Sequence, residues 1–208
     1  MNTEKIIEIL QKRYKIKIWK ENPFKMLITT ILSQRTKDEV TREAAKRLFK
    51  LADKPEKILK LSESEIKKAI KPVGFFNQKA KRIKKVAEII LKKYKGKVPD
   101  SREELLKLPG VGFKTADVVL CYGFGKNVIP VDTHVATISR RLKLTESKDP
   151  EKIREDLHAK IPEKYRRIFN LLMVEFGKDV CKSVKPKCEV CPIKKFCSSF
   201  NEKIQSKK

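Results

Sequence analysis

Apolar residues recur every three or four positions along most of the chain, which is the periodicity of amphipathic helices. The stretch NQKAKRIKKVAEIILKKYKG, for example, carries an apolar stripe among lysines and ends at Gly96. That stripe consists of Ala80, Ile83, Ala87, Ile90 and Leu91. Neither an alternating strand pattern nor an Asn-Gly hairpin signal occurs. The pattern predicts an all-α protein of about ten short helices with brief connecting loops.

Capping residues indicate where several of these helices begin. Asn22, which precedes a proline, predicts one helix start, and Asp38 is expected to cap the following helix. Ser62 and Glu65 have the spacing of a capping box. Asp132 is placed to begin a further helix. The stretch KTADVVLCYGFG is apolar on nearly all sides and predicts a central, buried helix.

The net charge of the chain indicates a polyanionic partner. The 208 residues include 51 Lys and Arg against 26 Asp and Glu, a formal net charge of +25. The bias toward Lys, Glu and Ile is typical of a thermophilic source, but that bias normally raises Glu together with Lys. Because only positive charge is in excess, the composition favours a nucleic-acid partner over a merely soluble surface.

The chain contains no apolar stretch long enough to cross a membrane. Its N-terminus, MNTEKIIEILQKRYK, has acidic residues and helical periodicity, unlike a signal peptide. We therefore expect a cytoplasmic protein in a reducing compartment. Disulfides are uncommon there, so the five cysteines need another role.

Residues 108–117, LPGVGFKTAD, predict a tight turn between two helices. Gly110 and Gly112 can take left-handed backbone angles and present no side chain, so the turn is expected to expose consecutive N–H groups at the start of the second helix. Such donors, together with the positive end of a helix dipole, form a site for a phosphate oxygen. The alternative is an ordinary glycine-containing helix connection. Backbone donors of this kind position a nucleic acid without reading its sequence.

Two residues near this turn could carry chemistry. Lys114 begins an otherwise apolar helix, two residues past the turn and next to a segment expected to be buried. Desolvation and nearby positive charge would favour a neutral, nucleophilic amine there, and an ordinary surface lysine is the alternative. Asp132 lies in IPVDTHVAT, a loop that enters a helix. An ordinary helix cap is the alternative role for Asp132, and the two roles are compatible.

The segments LPGVGFKTADVVL and VDTH resemble the helix–hairpin–helix DNA glycosylases, and are most similar to the endonuclease III branch. The similarity runs from ILSQRTKDE to the last cysteine. This resemblance implies two closely packed all-α lobes that flank a DNA-binding cleft. One is a six-helix barrel over 21–127, and the other combines 1–20 with 128–208.

The resemblance also implies an activity and a partner. Lys114 matches the catalytic lysine of the family, and Asp132 matches its catalytic aspartate. The expected enzyme is a DNA glycosylase and abasic-site lyase of base excision repair that acts on oxidised pyrimidines. The partner is double-stranded DNA containing a damaged base or an abasic site. We expect a prokaryotic, nucleoid-associated monomer that cuts 3′ to the lesion by β-elimination from a lysine Schiff base.

In this family two loops insert side chains into the duplex where a base has been flipped out. Here the corresponding loops are SQRTKD and VGFFN, with Gln34 or Arg35 and Phe75 as candidates. Packing is the alternative role for Phe75 and Phe76. The family often has glutamine directly before the threonine, where this chain has Arg35, which leaves lesion preference open. The remaining DNA-binding candidates are Leu108, Gly110, Val111, Gly112, Thr115 and His134, the last with a structural hydrogen bond as its alternative.

Four cysteines near the C-terminus, Cys181, Cys188, Cys191 and Cys197, have the spacing C-x6-C-x2-C-x5-C. Four thiolates suit either zinc or an iron–sulfur cluster. This spacing resembles the loop of the endonuclease III branch that holds a [4Fe–4S] cluster, which is the expected cofactor. Lysines at 182, 185, 187, 194 and 195 in the loop are expected to contact phosphates. The fifth cysteine, Cys121, is predicted to be a core residue.

Two rival functions remain. One is a glycosylase of the same fold directed at mismatches, with adenine, thymine or uracil as the target base. Relatives of that kind commonly lack the lysine, and this chain has Lys114. The other is a DNA-binding protein without enzymatic activity. Binding alone needs neither Lys114 nor Asp132.

Overall fold

The computed structural model describes residues 2–205, which form twelve α-helices joined by short loops. The described residues contain no β-strand, and the all-α prediction is confirmed. No helix among them is long and apolar enough to cross a bilayer. The helices are α1 Thr3–Tyr14, α2 Pro23–Ser33, α3 Asp38–Leu51, α4 Pro55–Lys60, α5 Glu63–Ile70, α6 Phe76–Tyr94, α7 Arg102–Leu106, α8 Phe113–Val118, α9 Thr133–Arg141, α10 Pro150–Lys160, α11 Glu163–Asp179 and α12 Ser198–Gln205.

The chain divides into two compact units. One unit is the continuous segment Lys20–Gly125, and the other joins Met1–Trp19 to Lys126–Lys208. In the second unit, α11 packs against both α1 and α9, so segments distant in sequence share one core. That core includes Ile6 and Leu10 of α1 and Phe169 of α11.

Helix α2 lies at the centre of the continuous unit and packs against α3, α6 and α8. Most of its side chains are buried, which explains its lack of charged residues beyond Lys25. Helix α8 continues directly into a π-helical segment, Val119–Phe124, that also contacts α2. This continuous stretch is the predicted buried helix, and Cys121 within it is a core residue as expected.

The N-cap residues agree with the sequence predictions at all but one position. Asn22 accepts hydrogen bonds from the backbone of Phe24 and Lys25, and Ser62 forms the predicted capping box with Glu65. The prediction for Asp38 is wrong, because Lys37 is the N-cap residue and Asp38 is already the first residue of α3. An acid in the first turn still interacts favourably with the positive end of the helix dipole.

A buried lysine supports the end of α2. The side chain of Lys79 on α6 is almost fully buried, and its Nζ donates to the carbonyls of Leu32 and Gln34 at 2.7 and 2.6 Å. A third bond reaches Thr36 Oγ1 at 3.1 Å. Burial, with a smaller contribution from Arg82, lowers the pKa of Lys79 to about 8. The amine therefore satisfies carbonyls that the end of a helix leaves unpaired.

We predict that Lys79→Met lowers the free energy of unfolding by about 2 to 4 kcal/mol, because two buried carbonyls lose their donor. Urea unfolding of the cluster-loaded protein measures this change. Lys81→Met, at an exposed position on the same helix, is the control and should change stability by less than about 0.5 kcal/mol. Equal stability of the two variants would show that the lysine bonds contribute nothing.

Candidate nucleic-acid interface and metal centre

The turn between α7 and α8 contains one left-handed glycine. Gly110 has φ +79°, whereas Gly112 is extended at φ −95° and ψ 179°. Of the two glycines that can take left-handed angles, only Gly110 does so here. One left-handed residue suffices to reverse the chain, and Gly112 takes the extended backbone usual for an N-cap.

The two glycines also differ in their surroundings. A Cβ added to Gly110 would lie 2.1 Å from Cδ of Arg82, whereas a Cβ on Gly112 would meet nothing within 4 Å. Gly110 is therefore required by its backbone angle and by its neighbour. Gly112 is required by neither, and its open side is accessible to a group from outside the unit.

Polar side chains from two other elements hold this turn. Gln34 donates through Nε2 to the carbonyl of Gly110 at 2.9 Å, and Arg82 donates to Gln34 Oε1 at 3.3 Å. Gln34 thus contacts the turn from within the unit. Arg82 was missed at the sequence level, because nothing in the local pattern of α6 indicates that it reaches the turn.

A buried ion pair joins the two helices of the hairpin. Arg102 on α7 donates through Nε to Asp117 Oδ1 on α8 at 3.0 Å, and Asp117 is only 1% exposed. The Arg102 guanidinium also lies 4.9 Å from the ring centroid of the exposed Phe113. Neither partner was identified from the sequence, since an arginine and an aspartate fifteen residues apart form no recognisable motif.

The hairpin residues predicted to bind DNA fall into buried and exposed groups. The side chains of Leu108, Val111 and Thr115 are buried, so only their backbone is available to a partner. Lys114 is exposed on the first turn of α8. The expectation that this unit itself buries the Lys114 amine is therefore wrong. The first turn faces outward while Thr115 and the residues after it face the core, so desolvation of Lys114 requires a bound partner.

Two exposed side chains with strained backbones lie together beside this hairpin. Arg35 and Phe75 both have left-handed angles, φ 51° and 57°, which are uncommon for residues other than glycine. The Arg35 guanidinium lies 5.7 Å from the Phe75 ring centroid, and Phe75 is 54% exposed. Gly74 permits this approach, since a Cβ there would lie 2.8 Å from the Arg35 carbonyl oxygen. Such strain is typical of functional positions.

In the other unit, Asp132 caps α9. Its Oδ1 accepts from the backbone of Val135 at 2.8 Å, and its Oδ2 accepts from Asn170 Nδ2 at 3.3 Å. Asn170, buried on α11, also donates to the carbonyl of Pro130 at 2.9 Å. The predicted cap is confirmed, and the carboxylate is oriented by two donors. Asn170 had no sequence signal, because only tertiary folding brings α11 to this loop.

The two histidines lie in different environments. His134 on α9 packs against α11 at Gly177, where an added Cβ would lie 2.3 Å from its Nδ1. His158 on α10 is half-buried, and its Nε2 accepts from the backbone of Ile129 at 3.1 Å. His158, unassigned from the sequence, therefore has a structural contact.

The four spaced cysteines line one cavity of about 50 Å³. Apolar side chains from α9 and α11 form part of its wall. A single zinc ion would need four sulfurs at about 2.3 Å from one point. Among the described residues, no three His, Cys, Asp or Glu are grouped to hold one metal ion. The arrangement suits a larger, multi-iron group.

Burial raises the pKa of the Cys191 thiol to about 11 and also raises the pKa of Cys197. Thiolates in this apolar cavity therefore need a bound metal to stabilise their charge. Such a donor set fits an iron–sulfur cluster held by Cys181, Cys188, Cys191 and Cys197. Of the five lysines in the loop, all but Lys194 are exposed.

Comparison with known proteins agrees with this geometry. A model of the HhH-GPD superfamily of base excision DNA repair proteins matches residues 28–163. The iron–sulfur binding domain of endonuclease III matches residues 181–197. Endonuclease III of Thermotoga maritima is 42% identical over 200 residues, which cover 96% of this chain and 94% of that protein. This chain belongs to the endonuclease III family. Endonuclease III of Rickettsia felis is 40% identical, over 98% of this chain and 97% of its own.

Two solved structures extend the similarity to the fold. A trapped covalent intermediate of endonuclease III with DNA has a TM-score of 0.86 at 31% identity and covers 98% of this chain and 99% of its own. A thermostable thymine-DNA glycosylase has a TM-score of 0.87 at 30% identity and covers 96% of each chain. With the family established, the predicted [4Fe–4S] cofactor is confirmed.

We predict that alanine at Gly110 mainly lowers stability, whereas alanine at Gly112 mainly weakens DNA binding. Gly110→Ala should lower the free energy of unfolding by about 1 to 3 kcal/mol through its left-handed backbone. Gly112→Ala should cost less than about 1 kcal/mol but weaken duplex binding by about tenfold, because a methyl group obstructs a close phosphate. Urea unfolding and fluorescence anisotropy measure the two effects. Unchanged DNA affinity of Gly112→Ala would contradict a phosphate contact at this turn.

Proposed function

We propose that this protein is a bifunctional DNA glycosylase and abasic-site lyase of base excision repair that removes oxidised pyrimidines from duplex DNA. The observation that carries this proposal is the exposed Lys114 amine two residues beyond Gly112, in a member of the endonuclease III family. An amine in that position is accessible to a nucleotide held at the hairpin.

Lys114 is proposed as the nucleophile. A damaged base cannot be reached within the duplex, so the nucleotide is rotated out of the stack. The neutral amine attacks the anomeric carbon as the bond to the base breaks, and the departing base carries away the electron pair. The amine nitrogen passes a proton to the departing base, and the C1′–O4′ bond then breaks, with O4′ taking a proton from solvent. The resulting protonated Schiff base acidifies the adjacent C–H bond. Loss of that proton and of the 3′ phosphate by β-elimination then cuts the strand 3′ to the lesion.

Asp132 is proposed as the carboxylate that stabilises the positive sugar. Loss of the base leaves positive character on the ring, as in glycoside cleavage. The bonds from Val135 N–H and Asn170 orient the carboxylate before substrate arrives. Preorganised negative charge of this kind needs little rearrangement during the reaction.

The exposed backbone at the hairpin is proposed to bind a phosphate. Gly110, Val111 and Gly112 would contribute N–H groups, and the buried side chains of Leu108 and Thr115 would fix the turn. His134 is proposed as a further DNA contact, with its ring seated on Gly177. These contacts position the duplex without reading its sequence.

Arg35 and Phe75 are proposed to enter the space left by the flipped nucleotide. Both side chains are exposed, and both residues have left-handed backbone angles. Gln34 is proposed instead to support the hairpin, because its side chain already bonds to Gly110 and Arg82. An aromatic wedge offsets part of the cost of unstacking the duplex.

The cofactor is proposed to support DNA binding by holding the cysteine loop in shape. When bound, the iron–sulfur cluster crosslinks four cysteines and so fixes the loop that carries the cationic side chains. Lys182, Lys185, Lys187 and Lys195 are exposed there and would contact phosphates.

The division of labour between lobes is also a proposal. We propose a hairpin lobe over 21–127 and a cluster lobe of 1–20 with 128–208, each of which contributes residues that bind DNA. We also propose a prokaryotic, cytoplasmic monomer that acts on the nucleoid; the named relatives are bacterial.

A mismatch-directed glycosylase is the second candidate function. It is favoured by the similarity to the thermostable thymine-DNA glycosylase. Such an enzyme would release a normal base from a mispair and would not need a covalent lysine intermediate.

We predict that borohydride traps a covalent complex between the protein and duplexes carrying an oxidised pyrimidine or an abasic site. Lys114→Ala should reduce trapping to background, because it removes the only proposed nucleophile. Lys107→Ala, an exposed lysine just before the turn, is the matched control and should still be trapped. Denaturing gels separate the products.

Other outcomes of the trapping experiment would support the rival functions instead. Release of thymine, uracil or adenine from a mispair without trapping would support the mismatch-directed enzyme. Binding without base release or cleavage would leave a non-enzymatic DNA-binding protein.

We predict that Asn170→Leu slows base release about tenfold, because Asp132 Oδ2 loses a donor worth about 1.4 kcal/mol. Single-turnover base release measures this effect. Cleavage of a preformed abasic site starts after the base has left and should change less. An equal loss in both steps would indicate general damage to the fold rather than misplacement of Asp132.

A further inference from the structure

Arg141, the last residue of α9, spans the first segment of the cluster loop. Its Nη1 donates to the carbonyl of Lys182 at 2.8 Å, and its Nη2 donates to the carbonyl of Ser183 at 2.9 Å. Nη1 also lies 3.2 Å from the carbonyl oxygen of Cys181. One guanidinium therefore holds three consecutive carbonyls of a segment without regular secondary structure.

The same side chain contacts the sulfur at the start of the loop. Nη1 of Arg141 lies 3.2 Å from Sγ of Cys181. At the other end of the loop, Sγ of Cys197 lies 3.7 Å from the backbone carbonyl oxygen of Arg141. Arg141 therefore contacts two of the four cysteines, and it also lines the cavity that they surround.

We propose that Arg141 is a positioning residue for the [4Fe–4S] cluster. Its bonds to the carbonyls of residues 181–183 hold that segment in place and so retain the cluster, and its hydrogen bond to Cys181 Sγ changes the cluster's reduction potential. Hydrogen bonds to cluster sulfurs and nearby charge are among the factors that set a cluster's reduction potential. A cation at Cys181 stabilises the more negative, reduced state. Arg141 should therefore raise the reduction potential relative to a neutral residue.

Arginine is suited to this position and lysine is not an equivalent. The planar guanidinium presents several donors in a fixed fork, so it can bond to adjacent carbonyls and a sulfur together. A lysine ammonium keeps the charge but not the fork. Arg140, the preceding residue, bonds through Nε to the carbonyl of Ala136 on its own helix and offers a matched comparison.

The test compares purified, cluster-loaded Arg141→Met and Arg141→Lys with wild type and Arg140→Met. Iron and sulfide content, loss of the cluster's visible absorption in the presence of a chelator, and the midpoint potential are measured without DNA. These readouts do not depend on glycosylase or lyase activity, so they remain informative whichever function the trapping experiment assigns.

We expect Arg141→Met to lose its cluster about 10- to 100-fold faster than wild type, the range typical of residues that orient metal ligands. The fraction that stays loaded should have a lower midpoint potential. Arg141→Lys should lose its cluster faster than wild type, yet keep a potential closer to it because the charge remains. Arg140→Met should match wild type in both measurements.

Two results would overturn the proposal. An unchanged potential in Arg141→Met would mean that the contact with sulfur has no electronic effect. Equal rates of cluster loss in Arg141→Met and Arg140→Met would mean that the carbonyl contacts do not retain the loop. If Arg141→Met cannot be loaded with the cluster, the rate of cluster loss and the midpoint potential are compared instead between Arg141→Lys, which keeps the charge, and Arg141→Gln, which removes it.

Discussion

The left-handed turn at Gly110 is the constraint on which the exposed face of the continuous unit depends. A side chain at that position would meet Arg82, and the turn carbonyl is held by Gln34, so the backbone has one arrangement. The open side of Gly112 and the exposed amine of Lys114 follow directly from it. The same network occupies Gln34, whereas the neighbouring Arg35 is exposed.

Helix α9 has a comparable role in the other unit. Asp132 caps its first turn, and Arg141 ends it against the cluster loop. A helix of nine residues is about 13 Å long, so a proposed reactive carboxylate and a cofactor loop share one rigid element. The iron–sulfur group therefore has a mechanical connection to the helix that carries Asp132, in addition to shaping a cationic loop.

Two polar clusters in the continuous unit are centred on buried side chains, Lys79 and Asp117. The ammonium of Lys79 has three acceptors, and Asp117 is paired with Arg102. Removing one member of such a group leaves its partners unsatisfied in a dry environment, which costs more than an exposed contact contributes. The surface lysines are different, because their excess charge acts on a polyanion at long range and weakens with salt.

Local sequence determined the helices, most of their caps and the residue types of the chemistry. Helical periodicity and capping depend on neighbours within a few positions, so Asn22 and Ser62 were readable without the fold. The cysteine spacing and the hairpin were readable for the same reason. Tertiary structure decided which side chains support the site. Arg82 and Asn170 come from distant helices, and Lys114 faces outward because α8 buries its opposite side. Those contacts depend on packing between segments far apart in sequence, which no local pattern encodes.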